Sequence, residues 1–285
     1  MPERAAPSVR AVRLGRELRR LREVAGLTGD AAAEPLRWSS AKVSRIENAQ
    51  TPVTIPDLRK LLKLYGTTPA QAQRLEWMAR TARERGWWIS YADDLPREYT
   101  TYIELEAEAS SVSYYSAVVL PGLLQTESYA RAVVKSLILL PPAEVERRVR
   151  VAQTRQNRLR ETSGVPLDLF AILDESVLRR QVGSPEVMRD QLKQLVNLAE
   201  LPNIEIQILP YLAGAHPATA GPFRILTIPH YGYTDIVYVE LMDGGVFIED
   251  EKGVYRYTLV TNDLRAKSLD KHESIALIGE IAAGL

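Results

Sequence analysis

Leu27-Thr28-Gly29-Asp30-Ala31-Ala32-Ala33-Glu34-Pro35-Leu36-Arg37-Trp38-Ser39-Ser40-Ala41-Lys42-Val43-Ser44-Arg45-Ile46-Glu47-Asn48 decides the reading of the N-terminal part of the chain. Thr28 is a helix-capping residue, and the alanines that follow it allow close approach to a neighbour. Pro35 keeps that helix, Gly29 to about Leu36, short. Ser39 or Ser40 then caps a second short helix. At 100° per residue, Leu36, Val43 and Ile46 turn inward, whereas Ala41, Ser44, Arg45 and Asn48 form the outer face with Lys42 at its flank. That outer face is small, polar and basic.

Around this pair the spacing predicts three more helices. Val9 to Val24 carries Val9, Val12, Leu14, Leu18, Leu21 and Val24 mainly at three- and four-residue intervals, with arginines between them. Thr54-Ile55-Pro56-Asp57 opens a fourth helix, with Pro56 suited to its first turn and Leu58, Leu61, Leu62, Leu64 and Tyr65 on its buried side. Thr67-Thr68-Pro69 starts a fifth, Ala70 to about Arg85, with Leu75, Trp77, Met78 and Ala82 inward.

Charge sets this region apart. The formal net charge of the 285-residue chain is zero, yet residues 1–86 hold 17 basic and 9 acidic side chains, and residues 87–285 hold 19 and 27. A compact basic unit ahead of an acidic one suits a nucleic-acid-binding head, because phosphate neutralisation supplies most sequence-independent affinity.

Two short helices joined by a tight turn, opened by Leu27-Thr28 and closed by Val43-Ser44-Arg45-Ile46-Glu47-Asn48, resemble the Cro/repressor or xenobiotic-response-element type of helix-turn-helix. The resemblance implies that the second helix of the pair enters the major groove. Ser40, Ala41, Ser44 and Arg45 would then face double-stranded DNA, with Thr28 and Ser39 at the helix starts in the same set. Lys42 would reach a phosphate, and Arg22 would pair with Glu47 to orient the recognition helix. The planar fork of Arg45 matches guanine O6 and N7. The chain departs from the family pattern at Gly29, where a phosphate-anchoring glutamine is usual. Ser40 and Ala41 are also shorter than the glutamine-like residues often found there, which shifts specificity towards water, phosphate and DNA-shape contacts.

The two predicted domains are residues 1–85, all-α, and residues 86–285, mixed, joined by a linker near 83–98. In the second, Thr101 to Ala117 reads as helix or helix-then-strand with Glu104, Glu106 and Glu108 along it. Helices follow at Glu127 to Leu139, Pro142 to Arg160 and Pro185 to Leu201. Strands are expected at Leu167 to Asp174, Ile204 to Leu209, Phe223 to Ile228 and Ile236 to Leu241, with a Met242-Asp243-Gly244-Gly245 turn into Val246 to Glu249. One closing helix is read from about Tyr255 to Ala283. Because the last strands follow one another through short turns, α+β fits better than a doubly wound sheet.

Tyr102-Ile103-Glu104-Leu105-Glu106-Ala107-Glu108-Ala109, Tyr114-Tyr115 and Leu120-Pro121-Gly122-Leu123-Leu124-Gln125-Thr126-Glu127-Ser128-Tyr129-Ala130 look like the C-terminal domain of WhiJ-like actinobacterial regulators. That resemblance implies a transcriptional regulator, antitoxin-like in some descriptions and often paired with a small partner protein encoded nearby. It implies no ligand and no catalytic residue. From the residues themselves, Leu123, Leu124 and Tyr129 are core positions.

Chemistry-bearing patterns are sparse. Zero cysteines exclude thiolate metal sites, disulfides and a cysteine nucleophile, and three histidines leave little for a histidine cage. No nucleophile elbow, Walker loop, dinucleotide fingerprint or zincin motif occurs, so no enzyme and no cofactor are expected. His216 and His230 with Tyr211, Tyr231 and Tyr233 are a candidate polar-aromatic effector pocket, though surface-loop positions are the simpler reading. Asp174-Glu175 reads as a helix cap rather than an acid–base pair. Asp243, Glu249, Asp250 and Glu251 read as a solvated turn rather than a cation site. No stretch has the roughly 20 apolar residues of a membrane span, and no signal-peptide core follows the basic N-terminus, so a cytoplasmic protein is expected.

These readings converge on a sequence-specific regulator, dimeric because one head offers too few contacts for high specificity. Two competitors stand beside it: an antitoxin-like protein that sequesters a small partner and uses DNA for autoregulation, and a small-molecule sensor or enzyme built on the second domain.

Overall fold

The structure is a computed structural model. It describes residues 9–82, 87–88, 91, 95–136, 140–160, 164–228, 235–242 and 244–285. The chain divides into two compact units, Met1–Gly86 and Trp87–Leu285.

The first unit is all helical. Helix α1 (Val9–Val24) buries Leu14, Leu18 and Leu21. Val24, expected inward, is 73% exposed because it lies in the last turn, beyond the neighbouring helices. Gly26, at φ +71°, takes the left-handed conformation that ends α1. Helix α2 (Gly29–Ala33) is capped by Thr28, whose Oγ1 accepts from the Ala31 N–H at 3.1 Å. It is shorter than read from the sequence, since the chain tightens into a 3₁₀ turn over Glu34–Leu36, where Pro35 sits.

Helix α3 (Ser40–Glu47) starts at Ser39, whose Oγ accepts from the Lys42 N–H at 3.2 Å. Val43 and Ile46 are buried against the other helices, and Leu36 is only half-buried. Helices α4 (Ile55–Leu64) and α5 (Pro69–Thr81) begin at the threonine caps Thr54 and Thr68, the latter in a reciprocal capping box with Gln71. Leu58, Leu61, Leu62, Tyr65, Leu75, Met78 and Ala79 complete this core, while Trp77 and Ala82 are half-buried.

One glycine fixes how α1 meets α3. A Cβ at Gly15 would stand 2.4 Å from the carbonyl oxygen of Glu47 and 3.0 Å from that of Ile46. Only a glycine lets the backbone of α1 approach the end of α3 this closely.

The second unit is α+β. Helix α6 (Arg97–Glu108) leads into β1 (Ser111–Ser116). A 3₁₀ turn (Gly122–Leu124), α7 (Glu127–Ser136) and α8 (Pro142–Gln156) connect it to β2 (Asp168–Asp174). Then α9 (Ser176–Arg179) and α10 (Pro185–Ala199) lead to β3 (Ile204–Leu209). Next are β4 (Phe223–Thr227), β5 (Ile236–Leu241), β6 (Gly244–Ile248), α11 (Glu251–Lys267) and α12 (Lys271–Ala283). The sheet order is β3-β2-β1-β4-β5-β6, with β1, β2 and β3 parallel and the remaining pairs antiparallel. Helical crossovers join the parallel half, as parallel strands require.

Three details differ from the sequence reading. The single closing helix is two, because Ser268 is extended and Asp270 opens α12 in a capping box with Glu273; Leu269 N–H meanwhile donates to Ile208 O at 2.9 Å, at the β3 edge. Strand β6 begins at Gly244, inside the expected turn, by pairing with Leu241. The helix that follows Asp174-Glu175 is the short α9, whose bounds the sequence reading did not give: Asp174 Oδ1 accepts from the Ser176 N–H at its start at 2.9 Å, while Glu175 takes the Tyr211 N–H at 3.0 Å and pairs with Arg179.

A buried charged cluster lies under α6. Arg155 Nε and Nη2 donate to the Glu106 carboxylate at 2.6 Å each, with 5% and 2% of the two side chains exposed. Tyr102 and Tyr114 hydroxyls also donate to Glu106, the latter at 3.1 Å, and Arg155 Nη1 donates to Tyr99 at 2.7 Å. Arg224 lies over the Tyr102 ring at 4.6 Å and over the Tyr238 ring at 5.3 Å. Burial works against the charged Glu106, but the charge and hydrogen bonds of Arg155, with the Tyr102 bond, hold its carboxyl below the ordinary range.

Candidate nucleic-acid interface

The candidate interface is built on α2 and α3, which pack against each other, with α1 behind α3. Ser40, Ala41, Ser44, Arg45 and Asn48 are all exposed on one side of α3, opposite buried Val43 and Ile46. Arg45 enters no ion pair among the described residues. Ser44 is engaged locally, since Asn48 Nδ2 donates to its carbonyl at 2.9 Å and to its Oγ at 3.2 Å. Thr28 and Ser39 are exposed, and their oxygens serve as the helix caps.

Lys42 lies at the flank. Its Nζ is 2.8 Å from Asp57 Oδ2 at the start of α4 and 3.7 Å from the centre of the Trp38 ring. With 35% of the side chain exposed, and one of three N–H donors given to Asp57, the ammonium retains donors for a second acceptor.

The rear of α3 is fixed by charge. Arg22 donates from Nε to Glu47 Oε1 at 2.7 Å and from Nη2 to Oε2 at 2.9 Å, while Nη1 donates to Leu27 O at 2.7 Å. One guanidinium thus holds both the end of the exposed helix and the turn that starts α2. Its hydrogen bond to Glu47 raises its pKa, burial notwithstanding. Tyr65 lies beside this pair, and burial, helped by the Glu47 charge, pushes its phenol up to about 12. At Arg37, just before α3, the backbone is left-handed with φ +55°, which aims the chain into the Ser39 cap.

Gly29 leaves its position open: a Cβ there would meet nothing within 4 Å. The lack of a side chain at the start of α2 is therefore not a packing requirement.

The other candidate sites are described only in part. His216 packs edge-on against Tyr115, with Nε2 3.4 Å from its hydroxyl, and Tyr211 is 57% exposed. His230, Tyr231, Tyr233 and Asp243 lie outside the described residues, as does most of the expected linker. Asp250 caps α11 by accepting from the Gly253 N–H at 2.8 Å. No group of three or more potential metal ligands occurs among the described residues. None of their helices is long and apolar enough to cross a membrane. Leu123, Leu124 and Tyr129 are fully buried core residues. Sequence reasoning did not single out Gly15 or the Trp38–Lys42–Asp57 contact.

A model described as a helix-turn-helix domain matches residues 13–75, which span α1 to the middle of α5. This domain supports a DNA-binding regulator. A second model, described as a domain of unknown function (DUF5753), matches residues 99–280. The chain belongs to that DUF5753 family. No curated protein and no solved structure matches it.

Proposed function

We propose that the chain is a sequence-specific, dimeric transcriptional regulator of the xenobiotic-response-element type, acting in the cytoplasm with α3 in the major groove. The observation that carries this reading is the division of labour on α3. Its inner face and C-terminal end are fixed by Val43, Ile46 and the Arg22–Glu47 pair, while Ser40, Ala41, Ser44 and Arg45 face outward. Such a helix meets DNA without first having to be ordered. Arg45 reads a guanine, Lys42 contacts a phosphate, and Thr28 and Ser39 lie at the helix starts nearest the backbone. Two heads in a dimer read half-sites about one helical turn apart. No catalytic residue or cofactor enters the proposal.

Titration of DNA with single variants tests it. Arg45→Ala is expected to cost about 1–3 kcal/mol and to relax specificity at one base, whereas Lys42→Ala weakens all sequences alike and lowers the salt slope by about one. Equal losses on specific and random DNA from both changes would refute the assignment.

The second reading, WhiJ-like and antitoxin-like, has the second unit sequester a small partner protein. The acidic balance of residues 87–285 and the exposed apolar side chains Leu212 and Met242, 98% and 96% accessible, support it. Co-purification of a stoichiometric small protein with the full chain is its test.

A further inference from the structure

We infer that Arg37 is a DNA-phosphate contact in the turn before α3, kept there although it strains the backbone. The inference rests on the reading of α3 as the helix that meets DNA, and it adds a contact from outside that helix.

Four turns of the first unit share one hydrogen-bond pattern. After α1, the Leu27 N–H donates to Arg22 O at 3.1 Å and the Gly26 N–H to Glu23 O at 3.0 Å. After α4, the Thr67 N–H donates to Leu62 O at 3.1 Å and the Gly66 N–H to Lys63 O at 3.3 Å. The turn before α3 repeats the pattern, with Trp38 N–H donating to Ala33 O and Arg37 N–H to Glu34 O, both at 3.0 Å. So does the turn after α3, where Gln50 N–H donates to Arg45 O at 2.8 Å and Ala49 N–H to Ile46 O at 3.0 Å. This is the Schellman motif, in which the residue just past the helix is left-handed and is ordinarily glycine. Gly26 and Gly66 follow that preference, at φ +71° and +68°. Arg37 and Ala49, at φ +55° and +53°, do not, and among the described residues they alone have a positive φ without being glycine. The two turns without a glycine are the two that flank α3.

A side chain in the left-handed region costs free energy that a glycine would not. Nothing within the first unit offsets this at Arg37. The residue is exposed, and its guanidinium makes no hydrogen bond or ion pair among the described residues, even with Glu34 three positions before it. Lys42, by contrast, has its ammonium 2.8 Å from Asp57. Arg37 thus stands as an unneutralised cation two residues before the Ser39 cap of α3. A guanidinium beside the helix that enters the groove meets the phosphate backbone, where its planar fork makes charge-assisted hydrogen bonds. It supplies the anchor that Gly29, with no side chain, does not. A phosphate contact adds affinity without base preference.

The test uses the full-length chain, a random-sequence duplex and a duplex that the parent selects from genomic fragments. Arg37→Gly is expected to weaken both about threefold to tenfold, and to make the dependence of log affinity on log salt shallower by about 0.9. Arg37→Lys is expected to keep the parental slope. Segment-resolved hydrogen exchange over α2 and α3 is expected to slow about threefold to tenfold in Arg37→Gly, because the strain is gone. Ala49→Gly relieves the same strain at the other end of α3 and is expected to slow exchange likewise, with both DNA affinities unchanged. A purely structural Arg37 would not give a variant that is more stable and yet binds more weakly. Parental affinity and slope in Arg37→Gly would overturn the inference and leave the reading of α3 standing. Equal losses of affinity in Arg37→Gly and Ala49→Gly would also overturn it, by assigning the loss to the freed turn and not to the guanidinium. A parent that binds neither duplex would overturn both.

Discussion

Arg22 of α1 and Glu47 at the end of α3 are joined by two parallel hydrogen bonds, 2.7 and 2.9 Å long, although 25 residues separate them. Only 11% and 7% of their side chains are accessible, so the pair is hardly screened by solvent. It ties the end of the exposed helix to the scaffold. Removing one partner leaves the other charge buried without its counterion, and Glu47→Gln is expected to cost about 3 kcal/mol of stability. Hydrogen exchange read by segment should show faster exchange in α1 and α3 and no change in the sheet of the second unit. Unchanged exchange in α3 would mean that the pair is not what fixes it.

Gly15→Ala separates helix propensity from packing. Alanine favours an isolated helix by about 1 kcal/mol, but its Cβ would lie 2.4 Å from the Glu47 carbonyl oxygen. A backbone atom cannot rotate away, so α3 must shift, and overpacking of this kind costs about 1–3 kcal/mol. The variant is expected to melt lower than the parent and to bind DNA more weakly. A higher melting temperature would show that α1 and α3 are not held in this close contact.

At Gly29 the expected change is a gain. Its Cβ position is open, and it is the first residue of α2, where a side chain can point to a phosphate. Gly29→Gln is expected to tighten binding to specific and random DNA alike, by about 0.5–1.5 kcal/mol for one new hydrogen bond. Anisotropy titrations on both DNAs at one salt concentration check this. A loss of affinity would place the start of α2 away from the backbone.

The Glu106–Arg155 pair predicts an acid limb in stability. The Glu106 carboxyl titrates below its ordinary range, so its contribution is complete above about pH 4.3 and is lost as pH falls through its folded value. Glu106→Gln leaves Arg155, 5% exposed, without a counterion, which costs about 3–5 kcal/mol at neutral pH. It should also flatten the acid limb in urea unfolding midpoints measured from pH 6 to 3. A variant with the parental acid limb would assign that limb to other carboxylates.

Much of the first unit was legible because its signals are local. Threonine and serine caps mark where α2, α3, α4 and α5 begin, and three- and four-residue apolar spacing gives α1 and α4 their buried sides. The alternation of Ile204, Ile206 and Ile208 fixes β3, whose buried residues are those three and Leu209. What local patterns did not reveal depends on contacts distant in sequence. Glu106 and Arg155 are 49 residues apart, and nothing near either one signals a buried pair; the Tyr102–Ala109 string reads as an amphipathic helix whichever glutamate turns inward. The break between α11 and α12 did have a local signal, Asp270 three residues before Glu273, which the continuous apolar spacing on either side conceals.

The central claim, that α3 reads DNA through Arg45, is tested most directly by a genomic-fragment binding selection with the full-length protein and with its Arg45→Ala variant at the same salt concentration. The account predicts that the parent enriches a paired motif with half-sites about one helical turn apart, and that the variant relaxes one base position in each half-site. A parent that enriches no motif, or a variant that enriches the parental motif unchanged, would contradict it.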